Sequence, residues 1–200
     1  MLFALLAAAF AAAPGPVLPL VLPAEAPPQF SEQAAARGVV GLAGALACEP
    51  LVEALTLCYR VERDGKLHYV TLADAAAWGL PLDDLRAAAA GALDHSPLVP
   101  QEIEGGGVYH QVVAPQGREA VVLLKPEWLT AVGRFPMVAI PARGVVVVWA
   151  GGNPETDRIM AVAVRRMFDE LPDPISPVVI RWDAGRWVTW GEAKPRPPAE

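Results

Sequence analysis

Residues 135–190 read FPMVAIPARGVVVVWAGGNPETDRIMAVAVRRMFDELPDPISPVVIRWDAGRWVTW, and this stretch decides the fold class. Two apolar strands, Pro136–Ile140 and Val145–Ala150, flank a turn at Pro141-Ala142-Arg143-Gly144. Four consecutive valines and Trp149 leave the second strand no polar face, so it is expected to be covered on both sides, with Val147 and Trp149 in the core. Gly151-Gly152 stops it. Asn153 then supplies a helix cap, Pro154 occupies the first helical position, and Glu155 and Asp157 complement the positive end of the helix dipole. Met160, Val164, Met167, Phe168 and Leu171 recur at helical spacing until Pro172 and Pro174 end the helix. A last hairpin, Val178–Trp182 with Arg186–Trp190, turns at Asp183-Ala184-Gly185 and sets Trp182 opposite Trp187.

The same scheme extends upstream. Leu55, Leu57, Tyr59 and Val61 alternate with Thr56, Cys58, Arg60 and Glu62, the period of a half-buried strand, and Asp64-Gly65 is a strong hairpin signal. A two-residue turn puts Leu67 and Tyr69 on the face of Arg60, so neither face is purely polar. Thr71 to Asp74 leads into a short helix ending at Trp78-Gly79, and Pro81 starts a longer one with Leu85, Ala89, Ala92 and Leu93 as its apolar stripe. Residues 94–107 read as a proline-rich connector. Val108–Val113 and Glu119–Leu124 are expected as strands around Pro115-Gln116-Gly117, with a short helix from Pro126. The expected fold is α+β: two β-β-α units, the second extended by further hairpins, with helices packed on mainly antiparallel sheet.

Two hundred residues, 54% hydrophobic and 19% charged, suffice for one domain, placed at 51–192 with a proline-rich polar tail at 193–200. Leu2–Ala13 is an unbroken apolar stretch of signal-peptide length, too short to span a bilayer, and Pro14, Pro16 and Pro19 interrupt it. Residues 1–26 are therefore expected to be an export leader, cleaved after Ala11-Ala12-Ala13 or after Ala24-Glu25-Ala26. The mature chain then has no transmembrane span and is periplasmic or extracellular. Residues 27–50 read as an Ala/Gly/Pro-rich linker or small helix over Gln33–Ala47. Cys48 and Cys58 are the only cysteines; in an oxidising compartment they could pair, but spacing alone does not bring their Cα atoms within bridging range, so two unpaired thiols are the default and a disulfide the alternative.

The order hairpin, Tyr69-Val70-Thr71-Leu72-Ala73-Asp74, Trp78-Gly79-Leu80, Asp83-Asp84-Leu85 resembles the YtpQ family, a bacterial family of unassigned function. Val138-Ala139-Ile140-Pro141-Ala142-Arg143-Gly144-Val145-Val146 and Ile175-Ser176-Pro177-Val178-Val179 carry the resemblance further, over about residues 55 to 190. It implies a fold rather than a role, and no catalytic residues come with it. By analogy it suggests a cytoplasmic protein, but an apolar leader stands here in place of the family's longer N-terminal region.

Signatures of common chemistry are absent: no H-E-x-x-H, C-x-x-C, G-x-S-x-G or phosphate-binding lysine loop occurs. No cofactor and no metal are expected. The formal charge of −6 and the scattered Lys and Arg residues argue against a nucleic-acid partner. The leading expectation is a non-catalytic interaction or accessory module of the bacterial cell envelope, whose partner is another envelope protein. Trp182 and Trp187, flanked by Arg181 and Arg186, are its candidate surface. The rival is a hydrolase-like enzyme with an unfamiliar acidic or histidine site drawn from His110, Glu102, Glu104 and Arg118.

Overall fold

Strand β1 (Val17–Pro23) opens the fold, in a segment that the sequence presents as leader. The computed structural model describes residues 13–26, 45–103, 107–115 and 117–192. β1 pairs antiparallel with β3 (Leu55–Arg63), whose other edge carries β2 (Cys48–Val52) and β4 (Lys66–Tyr69). The Glu62 N–H donates to the Pro16 carbonyl, and alternation along the ladder from that bond turns the backbone of Pro19 and Pro23 away from β3. Both prolines thus face the edge of β1 that is unpaired among the described residues, where proline is tolerated. Val17, Leu18, Leu20, Val21 and Leu22 are all buried, so β1 is covered on both faces although it pairs along one edge.

The β3–β4 turn falls at Asp64-Gly65, both with positive φ, and pairs Arg60 with Tyr69 and Val61 with His68, the register the two-residue turn dictates. Thr71 and Asp74 form a reciprocal capping box at the start of helix α1 (Leu72–Trp78), and Gly79 ends it at φ 67°. Helix α2 (Leu82–Ala90) then lies against β1 and buries Leu85 and Ala89. Arg86 of α2 donates to Glu49 at 2.9 Å, and Glu49 also accepts from the buried Tyr59 hydroxyl. Burial first, and that hydrogen bond second, push the Tyr59 phenol well above its usual pKa.

Cys48 and Cys58 are joined by a disulfide, in place of the two thiols expected from their spacing. The physical reason is strand register. β2 doubles back on β3 so that the two cysteines are directly opposite, and the bond from Tyr59 N–H to Ala47 carbonyl makes theirs a non-hydrogen-bonded pair, whose side chains approach most closely. The small helix expected over Gln33–Ala47 falls mainly outside the described residues, and within its last three Leu46 forms a β-bridge to Thr71. Closing the ten-residue separation between the cysteines removes chain entropy from the unfolded state worth roughly 2–3 kcal/mol. Urea unfolding with and without reductant is expected to show that loss as a lower midpoint; coincident curves would mean the bridge adds no stability.

The second sheet has six strands in the order β10-β9-β7-β8-β6-β5, all antiparallel. It is built from three hairpins: β5 (Leu98–Glu102) with β6 (Val108–Val112), β7 (Pro136–Ala142) with β8 (Val145–Ala150), and β9 (Val178–Asp183) with β10 (Arg186–Glu192). β5 lies in the expected connector. It forms an edge of the sheet, where Pro100 is tolerated. Glu119–Leu124 is a 3-10 helix rather than the expected strand. Both edges of β6 are taken, by β5 and β8, so this apolar run has no ladder to join and plugs the space between the sheets with Val121, Val122 and Leu123 fully buried. A short helix, α3 (Pro126–Leu129), follows.

Alternation on the central strands divides the core. Val138, Ile140, Val146, Val148 and Ile180 face the small sheet, α2 and the 3-10 helix; Met137, Ala139, Val147, Trp149 and Val179 face helix α4 (Pro154–Glu170) through Met160 and Val164. Val147 and Trp149 are therefore core residues on a strand covered from both sides. Asn153 caps α4 by accepting from the Glu155 and Thr156 N–H groups, and buried Asp157 accepts from Trp149 Nε1 at 2.9 Å and from the Gly152 N–H at 3.1 Å. The architecture is α+β, with helices packed on two mainly antiparallel sheets. Among the described residues, no helix is long and apolar enough to cross a membrane.

Candidate functional site

Arg60 lies in the middle of β3, paired with Leu18 on one side and Tyr69 on the other, and is only 9% exposed. A guanidinium has five donors and stays cationic, so burying it demands acceptors. Among the described residues its Nε has no partner, and Nη2 makes a long bond of 3.4 Å to the Gly117 carbonyl. Burial lowers the Arg60 pKa and Arg143 adds to that, while its strand neighbour Tyr69 first, and Glu119 after it, oppose the fall.

Arg60 lines a cavity of about 250 Å³ where the two sheets meet. One wall is the edge of β1 that is unpaired among the described residues, at Pro19, Leu20 and Val21; Ile140 and Val146 of the β7–β8 hairpin and Ile175 supply further apolar surface. The remaining charged groups come from turns. Arg143, in the β7–β8 turn, approaches Asp173 at 3.9 Å, while its backbone N–H donates to the Asp173 carbonyl. Glu119 begins the 3-10 helix and accepts from the Gly117 N–H at 3.2 Å. Gly117 has φ 83°, and a Cβ there would stand 2.9 Å from Arg60 Nη2, so both the turn and the approach of the guanidinium require glycine. The cavity thus holds two arginines and two carboxylates against apolar walls, with more demand for acceptors at Arg60 than the described residues meet.

The expected site residues are placed differently. Trp187 is 7% exposed and donates from Nε1 to the Leu123 carbonyl at 3.1 Å, so it is a core side chain and not a recognition surface. It does face Trp182, edge to face, with ring centroids 5.2 Å apart. Arg181 is engaged by Asp183 at 3.0 Å, Arg186 is exposed, and the exposed tryptophan of this hairpin is Trp190. His110 lies opposite Pro100, and Glu102 is a diagonal neighbour on the same face of the β5–β6 ladder. Glu102 is exposed, whereas His110 Nδ1 is buried without a partner among the described residues. Arg118 donates to the Ala92 carbonyl at 3.0 Å and meets Glu62 at 3.7 Å. Glu104 falls outside the described residues, and neither His110, Glu102 nor Arg118 lines the Arg60 cavity.

Sequence reasoning missed Arg60 and Arg143. One signal for Arg60 was present: a cation centred on a strand whose two faces both carry apolar residues. Among the described residues, no group of three or more His, Cys, Asp or Glu side chains is placed to hold a metal ion. No family model, curated protein or solved structure matches the chain.

Proposed function

We propose that this chain is an exported, non-catalytic binding module of the bacterial cell envelope that captures an anionic ligand in the Arg60 cavity. The observation that carries this reading is the buried guanidinium lining that cavity, whose Nε has no partner among the described residues. Folding alone gives little return for such a group, because a buried cation with a donor left unmet destabilises the fold unless an acceptor compensates it. An anion entering the cavity is that acceptor. The disulfide supports export, since such bonds persist in oxidising compartments, and the apolar leader supplies the route.

The test is Arg60→Leu, followed by thermal unfolding and by titration with acetate and inorganic phosphate. A ligand-binding role predicts loss of saturable anion binding with a melting temperature unchanged or raised, because a buried charge with a donor left unmet has been replaced by an apolar group. A fall corresponding to several kcal/mol, of order 3–5, would make Arg60 a structural group and sink the reading.

A further inference from the structure

We infer that the ligand of the Arg60 cavity is a small monocarboxylic acid with an apolar body, rather than phosphate or a polyanion. This rests on the anion-binding reading above and adds the ligand's charge, shape and size. Charge comes first. Arg143 already has Asp173 beside it, and the Gly117 N–H holds Glu119, so the four charged side chains among the described lining residues sum to zero. A single negative charge against Arg60 supplies the acceptor that its Nε lacks among the described residues and leaves the site at a net charge of only −1. A phosphate dianion brings a second charge toward two carboxylates in a partly dry site, where like-charge repulsion is strong.

Shape agrees. A planar guanidinium matches a carboxylate in shape, and alternation along the β1–β3 ladder turns the Val21 N–H toward the edge of β1 that is unpaired among the described residues. Behind these donors the walls are Leu20, Ile140, Val146 and Ile175, surface that an alkyl or aromatic body can cover and a bare inorganic anion leaves wet. The volume, about 250 Å³, lies just below the roughly 300–1,000 Å³ of pockets for drug-sized ligands, which suits a short-chain or single-ring acid.

The experiment titrates the full chain with three probes, hexanoate, hexanamide and inorganic phosphate, using calorimetry. Hexanoate is expected to bind saturably at one site, with hexanamide and phosphate each at least about tenfold weaker, a difference of one charge-assisted contact. Arg60→Leu is expected to bring hexanoate down to the level of hexanamide. The comparison of probes on the unaltered protein stands even where that variant folds poorly. Phosphate binding as tightly as hexanoate would overturn the carboxylate assignment and leave the anion-binding reading intact. Equal binding of hexanamide and hexanoate, or saturable binding by none of the three, would overturn both.

Discussion

A chain beginning at residue 27 is expected to remain unfolded, whereas one beginning at Ala13 is expected to fold with the stability of the whole domain. The reason is β1. Val17, Leu18, Leu20, Val21 and Leu22 are each at most 5% exposed, and burying one such side chain is worth about 1.5–3 kcal/mol. Even discounted for compactness of the unfolded chain, losing all five rivals the roughly 5–15 kcal/mol that holds an ordinary domain together. Deletion would also bare the paired edge of β3 and remove one wall of the Arg60 cavity. The consequence for export is specific. Of the two small-residue cleavage sites, the one after Ala13 spares β1 and the one after Ala26 removes it. The exported product is therefore expected to begin at Pro14, as read by intact mass from the envelope fraction. A folded product beginning at Pro27 would refute the need for β1, and an uncut chain in the cytosol would remove the export proposal.

Val147→Asp is expected to abolish folding at ordinary temperature. Val147 is 2% exposed and packs between Met137, Ala139 and the α4 residues Met160 and Val164, none of which can donate a hydrogen bond from its side chain. A carboxylate there is either ionised without solvation or protonated at a cost, and the packing of the isopropyl group is lost as well; the sum is on the order of 5 kcal/mol. Circular dichroism and a melting curve check it. Val145→Asp on the same strand, at a half-buried position, is the comparison and should be tolerated far better. Equal, mild effects at both positions would place β8 at the surface.

What the sequence disclosed depended on whether a local rule and the tertiary environment agreed. The β3–β4, β7–β8 and β9–β10 hairpins and α4 are set by turn residues and caps that act within a few positions, and the structure carries each of them. β1 and β5 were hidden because proline argues against a strand, and edge positions lift that objection without leaving a trace in the sequence. Glu119–Leu124 was misassigned for the opposite reason: a short apolar run says that it is buried, not which ladder is free to take it. The Cys48–Cys58 bond follows from where β2 turns back, a tertiary fact. The Arg60 cavity was least legible of all. Its cation stands on one strand, Glu119 and Gly117 in one connection, Arg143 in a distant turn and its apolar wall on a segment that looks like leader. Trp182 and Trp187 were paired correctly, but facing partners need not be exposed ones, and the Nε1 bond to Leu123 ties Trp187 inward.

Local and distant pairings differ in when they can form. Each hairpin of either sheet closes over a few residues, so its contacts are local and quick; β1 meets β3, as β7 meets β9, only after roughly thirty intervening residues have been looped out, and so it docks late. Its inner neighbours wait for it, and the cavity wall at Pro19 to Val21 is the last to be placed. The same hierarchy holds in reverse in the finished protein: lifting β1 is the cheapest large opening available to the small sheet. An occupant of the cavity touches that strand and is released when it lifts, so occupancy acts as a latch. Amide hydrogens along β1 and its partner β3 should then exchange with solvent more slowly when the ligand is bound, by the factor that binding itself sets, while those of the large sheet keep their own clock.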